Sequence, residues 1–101
     1  MTEKIYFIYK FRNNPSPNET YKKFEETFGK GYIFDKEHPN ASDGTREEIR
    51  RLFTKDMNEG HFDLVIVDIS YGKGRFMEEE LALANKLKIP IKEINLNENS
   101  M

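Results

Sequence analysis

The chain contains no cysteine, and this absence excludes both disulfide bonds and thiolate chemistry. Its charges nearly balance, since 16 Lys and Arg oppose 18 Asp and Glu, for a formal net charge of −2. No excess of one sign therefore argues for a nucleic acid polymer or a membrane surface as a partner. The sequence also lacks a membrane-spanning apolar run and the pattern of a cleavable signal peptide. We expect a soluble cytoplasmic protein.

The composition favours one small globular domain. Of the 101 residues, 37% are hydrophobic, 13% are aromatic and 34% are charged. This mixture can form a modest core under a strongly solvated surface. We expect a single α/β domain over residues 1–101, of which 96–101 form a frayed tail.

Apolar segments alternate with amphipathic segments along the chain. Short runs rich in β-branched and aromatic residues predict strands near residues 4–11, 32–34, 62–70 and 89–96. Apolar residues at helical spacing predict helices over residues 17–28, 45–59 and 75–87. Capping boxes are predicted at the first two helices, with Ser16 and Glu19 forming one and Thr45 and Glu48 the other. The segment 35–44 is predicted to be a polar loop.

The resulting order, β-α-β-α-β-α-β, is typical of a parallel sheet with helices on both faces. We predict a flavodoxin-like or Rossmann-like three-layer fold with strand order 2-1-3-4. That order places a switch point between the first and third strands, and ligands bind at the carboxyl ends of the strands flanking such a point. These ends correspond to residues 10–12 and 68–74.

Glu80 is the candidate functional residue that the sequence itself selects. On a helical wheel with Met77 at zero, Glu80 falls at about −60°, inside an arc of apolar side chains, whereas Glu78 and Glu79 fall outside it. A carboxylate among apolar side chains is costly unless it is paired, hydrogen-bonded or protonated, and functional sites often contain such groups. A structural role remains the alternative, for instance pairing with Lys10 or Arg12 at the rim of the sheet.

Other signals in the sequence are weaker. The basic side chains of the second helix form either an anion-binding patch or, as we favour, a solvated face; they are Arg46, Arg50, Arg51 and Lys55. Tyr6 lies near a strand end and can stack on a base, although core packing is the commoner use of such a residue. His38 and His61 stand in separate loops without a second histidine at ligand spacing, so no metal site is predicted.

The segment 63–91, "DLVIVDISYGKGRFMEEELALANKLKIPI", resembles the nucleoside 2-deoxyribosyltransferase family and its nucleotide N-hydrolase relatives. In that family an apolar strand ends in an acidic residue and Ser or Thr. This strand is followed by a Gly-x-Gly-type loop, then by a helix with a catalytic glutamate, and then by a strand that starts at a proline. The motifs "DIS", "GKG", "ELALA" and "KIP" occupy these places in order, and the opening "KIY" matches the family's first strand.

The resemblance implies that Glu80 attacks the anomeric carbon and forms a glycosyl-enzyme intermediate. It implies that Asp56 or Asp68 orients the sugar or base. Ser70 and the backbone amides of Gly72 and Gly74 are implied to hold a sugar hydroxyl or a 5′-phosphate, and Arg12 is implied to add positive charge to the site. The resemblance implies no metal or other cofactor. It does imply a homodimer, because the family's sites are often completed by a second subunit.

Two functions are therefore open at the level of sequence. The first is an enzyme that transfers or hydrolyses the N-glycosidic bond of a nucleoside or nucleotide. The second is a non-catalytic module on the same scaffold that binds a nucleotide-like ligand or a protein. The second is favoured by the short chain and by Ile8, Tyr9 and Lys10, which stand where the family has a glycine after its first strand.

Overall fold

A computed structural model describes residues 3–96, apart from the side chain of Ser42. The strands are β1 (Ile5–Ile8), β2 (Tyr32–Ile33), β3 (Leu64–Asp68) and β4 (Ile91–Ile94). The helices are α1 (Pro17–Phe28), α2 (Phe34–Glu37), α3 (Arg46–Glu59) and α4 (Arg75–Lys86), with a 3-10 turn at Ala41–Asp43. No helix within residues 3–96 is long and apolar enough to cross a membrane.

The four strands form one parallel sheet in the order β2-β1-β3-β4, as predicted. β1 and β3 occupy the centre, and their register pairs Ile5 with Leu64 and Ile8 with Val67. Both central strands read as continuous apolar runs because helices cover both faces of the sheet. The α/β fold expected from the alternation of strands and helices is confirmed.

Alternate residues of the central strands supply two separate cores. Tyr6, Ile8, Val65 and Val67 point to one face, where they pack in a cluster with side chains of α3 and α4. Phe7 and Ile66 point to the other face, in a cluster with Phe24 of α1. This division follows from the right-handed crossover, because a connection to the left of β1 and one to its right must lie on opposite faces.

One of the two predicted helix caps is formed. The Thr45 hydroxyl accepts a hydrogen bond from the backbone N–H of Glu48 at 3.1 Å. The Ser16 side chain makes no such bond, so the predicted capping box at α1 is wrong. The Asn14 carboxamide instead orders this turn: its oxygen accepts from the Ser16 N–H at 2.9 Å, and its nitrogen donates to the Lys10 carbonyl at 2.8 Å.

Several predicted boundaries differ from the structure, since all four strands are shorter than predicted. β1 ends at Ile8, three residues before the predicted end, because its ladder with β3 stops there. Phe34 was predicted to end the second strand but begins α2, which extends into the segment predicted as a loop, so β2 has only two residues. Leu96 was expected to start a frayed tail, but it is 5% exposed and its N–H donates to Asp68 Oδ1 at 3.0 Å. The remaining predicted tail, 97–101, lies outside the described residues.

The different caps of α1 and α3 lead to a stability prediction. Thr45→Ala removes an acceptor from the first turn of α3 and should lower the free energy of unfolding by about 1 kcal/mol. Ser16→Ala is the matched control and should cost less than about 0.5 kcal/mol, because that side chain caps nothing. Urea denaturation followed by circular dichroism measures both variants. Equal losses would contradict the assignment of the caps.

Candidate active site

A cleft of about 410 Å³ opens at the carboxyl ends of β1 and β2. The amino-terminal turns of α3 and α4 form its walls, and the segment after β1 forms its rim. Its lining includes the aromatic residues Phe34, Phe53 and Phe76, the acidic residues Asp35 and Glu80, and four cationic residues. This location beside the topological switch point is where open α/β sheets bind ligands.

Glu80 lies in this cleft, on the buried side of α4. The residue is 8% exposed, and its Oε2 accepts a hydrogen bond from the Tyr6 hydroxyl at 2.5 Å. Tyr6 is fully buried in β1, so the bond joins the central strand to the helix that follows β3. The prediction that Glu80 faces the apolar side of α4 is confirmed, and Met77 and Ala84 are buried beside it.

Burial raises the pKa of Glu80 to about 8 from an ordinary value near 4.5, because the ionised form loses its hydration. The hydrogen bond from Tyr6 acts in the opposite direction and lowers this pKa. The negative charges of Asp35 and Glu79 add to the increase. The carboxyl group is therefore poised to gain or lose a proton near neutral pH, as catalytic carboxyl groups are.

Asp35 is a second carboxyl group of the cleft, and the sequence did not single it out. It is the second residue of α2, two positions past the end of β2, and it lines the same cleft as the start of α4. Burial raises its pKa, and a hydrogen bond with Tyr9 partly offsets the increase. The signal that can find it is positional, because an acidic residue just past a strand end next to the switch point lies at the ligand edge.

Four cations border the cleft, and none of them has an anionic partner among the described residues. They are Lys10, Arg12, Arg46 and Arg75. The ion pairs among residues 3–96 are His38–Asp56, Arg50–Glu79 and Lys73–Glu93, and none of them includes these four side chains. Arg12 was predicted to contribute charge to the site and lies in it.

The predicted basic group of α3 divides into three kinds of environment. Arg46 begins the helix and lines the cleft. Arg50 donates to Glu79 at 2.7 Å, which ties α3 to α4. Arg51 and Lys55 are exposed, as expected for a solvated face. Because α3 packs beside α4, Glu79 is only half-exposed, so the prediction that it faces water is wrong.

Asp56 lies apart from the cleft lining. Its Oδ2 accepts a hydrogen bond from the Tyr32 hydroxyl and is 2.6 Å from His38 Nε2. The Tyr32 ring stacks on Tyr6 at a centroid distance of 5.1 Å. Asp56 is thus connected to Glu80 through the stacked rings of Tyr32 and Tyr6. Its carboxylate holds the Tyr32 ring in place and does not line the cleft. Tyr6 itself is packed in the core and presents its hydroxyl to Glu80.

The predicted loop residues are also largely turned away from the cleft. Asp68 is fully buried and accepts bonds from Ser70 Oγ at 2.6 Å and from the Leu96 N–H at 3.0 Å. This carboxylate therefore joins the ends of β3 and β4. Ser70 and Gly72 do not line the cleft, whereas Gly74 does. A Cβ placed on Gly74 would lie 3.6 Å from Lys10 Nζ, an ordinary contact distance, so the lysine ammonium lies beside the amino terminus of α4.

Comparison of the chain with known proteins identified no similar protein. No protein-family model matches the chain, and neither a curated protein nor a solved structure does. Among residues 3–96, no group of three or more metal-ligating side chains converges. Of the predicted site residues, Glu80, Arg12 and Gly74 lie together in one cleft.

The pKa of Glu80 leads to a pH-dependent stability prediction. A folded-state pKa of about 8 against an ordinary value near 4.5 means that the folded protein binds the proton more tightly. Stability is therefore lost as the pH rises from about 4.5 to about 8, and the full penalty applies above 8. Glu80→Gln keeps the shape and an acceptor for Tyr6, so it should stabilise the protein at pH 8.5 by on the order of 3 kcal/mol.

Urea unfolding of wild type and Glu80→Gln at pH 4 and pH 8.5 measures this effect. The two proteins should differ little at pH 4, where the carboxyl group is neutral in both states. Glu78→Gln is the control, since Glu78 is exposed on the same helix. A constant difference between wild type and Glu80→Gln at both pH values would show that Glu80 does not titrate in the folded protein as described.

Proposed function

We propose that the protein is an enzyme that cleaves or transfers the N-glycosidic bond of a nucleoside or nucleotide, with Glu80 as the nucleophile. One observation carries this proposal. A buried carboxyl group with a pKa of about 8 stands in an aromatic-lined cleft and is oriented by a tyrosine hydroxyl at 2.5 Å. Desolvation strengthens such a carboxylate as a nucleophile once it is ionised.

The proposed chemistry has two steps. Glu80 attacks C1′ of the sugar, the C1′–N bond breaks, and its electron pair leaves with the base, which takes up a proton. Water, or the N–H nitrogen of a second base, then attacks C1′ of the glycosyl-enzyme and gives its proton back to the acid that protonated the first base. That attack breaks the C1′–O bond and restores the carboxylate. Tyr6 holds the reacting carboxylate through its hydroxyl and donates to the Glu80 oxygen throughout.

Asp35 is suited to supply the proton that the leaving base requires. It lines the same cleft as Glu80, and burial raises its pKa, which increases its protonated fraction at a given pH. A carboxylic acid beside a departing nitrogen acts as a general acid. Two carboxyl groups in separate roles are the usual requirement for glycosidic bond cleavage.

A second candidate is a non-catalytic module that binds a nucleotide-like ligand. The position of Lys10 favours it, because its ammonium group lies over Gly74 at the amino terminus of α4, where the resemblance implies a ligand phosphate. The hydrogen bond from Ser70 to Asp68 also favours it, because these two side chains bind each other, whereas the resemblance implies that they bind the substrate. In this alternative the cleft retains its ligand without breaking a bond.

Release of free base distinguishes the two candidates. Wild-type protein incubated with nucleosides and 5′-nucleotides should release base, measured by liquid chromatography. Glu80→Gln should lower the rate at least about a thousandfold, since it removes the nucleophile, while Glu78→Gln should leave it unchanged. Absence of base release from every substrate, together with retained ligand binding, would favour the non-catalytic module.

The rate should also depend on pH in a defined direction. With a substrate whose base leaves without being protonated, only the ionisation of Glu80 is required, so kcat/KM should rise with pH and level off above about 8, the pKa of Glu80. Tyr6→Phe removes the hydrogen bond that lowers this pKa, so the rise should move to higher pH. A profile that falls between pH 6 and 8 in wild type would instead assign Glu80 the role of a proton donor.

A further inference from the structure

We propose that the ligand of the cleft is a nucleotide carrying at least two linked phosphate groups. The proposal rests on the proposed function only in placing the sugar at Glu80. The phosphate requirement itself is argued from the charges around the cleft, and binding measurements can test it without turnover.

The four cations that border the cleft are the first observation. Lys10, Arg12, Arg46 and Arg75 form no ion pair among the described residues, whereas Arg50 of α3, which lies outside the cleft lining, is paired with Glu79. The whole chain has a formal net charge of −2, so this local excess of positive charge is not a property of the surface in general. Uncompensated cations around a concave site attract and retain an anion.

The acidic groups of the cleft form no ion pair with these cations. Asp35 and Glu80 are the carboxyl groups that line it, and burial raises the pKa of both. The cleft therefore keeps a positive charge, and an anionic ligand would balance it.

The amount of charge favours more than one phosphate. A phosphate monoester carries about −1.5 to −2 at pH 7, which balances at most half of four cations. The cations also come from three separate elements, namely the segment after β1 and the first residues of α3 and α4. Arg46 and Arg75 each occupy the first helical position, where free backbone N–H groups and the helix dipole add to the attraction. A diphosphate can engage both helix termini together.

The aromatic lining distinguishes a nucleotide from inorganic pyrophosphate. Phe34, Phe53 and Phe76 contribute rings to the cleft, and Phe53 and Phe76 stand edge to face at 6.2 Å. Phe11 lies at the rim with 52% of its surface exposed, which is unusual for so large an apolar residue in this chain. An exposed ring beside cations can stack on a base while the phosphates contact the cations.

Calorimetric titration of Glu80→Gln, which does not turn the ligand over, tests the proposal. The probes are adenosine, AMP and ADP, the corresponding thymidine series, and inorganic pyrophosphate. At low ionic strength, where surface charges are least screened, the diphosphate should bind at least about tenfold more tightly than the monophosphate in one of the two series. Pyrophosphate should bind at least about tenfold more weakly than that diphosphate.

Charge-removing variants identify the contacts. Arg46→Gln and Arg75→Gln, each in the Glu80→Gln background, should weaken diphosphate binding about tenfold and nucleoside binding little. Arg51→Gln is the matched control, since Arg51 is an exposed arginine of α3 outside the cleft. Circular dichroism verifies that each variant is folded.

Three results would overturn the proposal. The first is equal affinity for mono- and diphosphates in both series, which includes no binding of either. The second is pyrophosphate binding as tight as that of the nucleotide. The third is an Arg51→Gln loss as large as that of Arg46→Gln. Failure of the enzymatic proposal is separate, because base release by wild-type protein measures it and these titrations do not.

Discussion

The hydrogen bond between Tyr6 and Glu80 is the contact on which the site depends. It crosses from the central strand to the helix after β3 and lies inside the core that the sheet shares with α3 and α4. An isolated carboxylate at this depth would be prohibitively costly, and a single phenolic hydroxyl meets only part of its hydrogen-bonding capacity. The remaining cost appears as a raised pKa. Holding the Glu80 carboxyl group away from water and in a fixed orientation thus lowers the free energy of unfolding.

The second determinant of the site is its local charge, which the net charge of the whole chain does not reveal. The chain is nearly neutral overall, yet the cleft collects four cations while its two carboxyl groups are driven toward their neutral forms by burial. Both effects come from the same geometry. Helix starts and strand ends converge at one edge of a parallel sheet, which brings N1 arginines and buried acidic residues into one small volume.

Periodicity alone predicted the fold and one residue of the site. The alternation of strands and helices gave the sheet order, and the helical wheel placed Glu80 correctly because a regular helix fixes side-chain direction. The environment of Glu79 could not be predicted, since it depends on the neighbouring helix α3 and on Arg50. Asp35 and Arg46 were missed as site residues for a related reason. Their approach to Glu80 across the cleft is set by tertiary packing, which local spacing does not encode.

The edges of the sheet limit how copies of the chain can associate. β2 at one edge has two residues and turns at once into α2, while β4 at the other edge places the charged side chains of Lys92 and Glu93 in solvent. Short, charged edge strands discourage the addition of a further strand. A second copy that completed the cleft would therefore have to approach through helices and loops, which keeps the four-stranded sheet a closed unit of each chain.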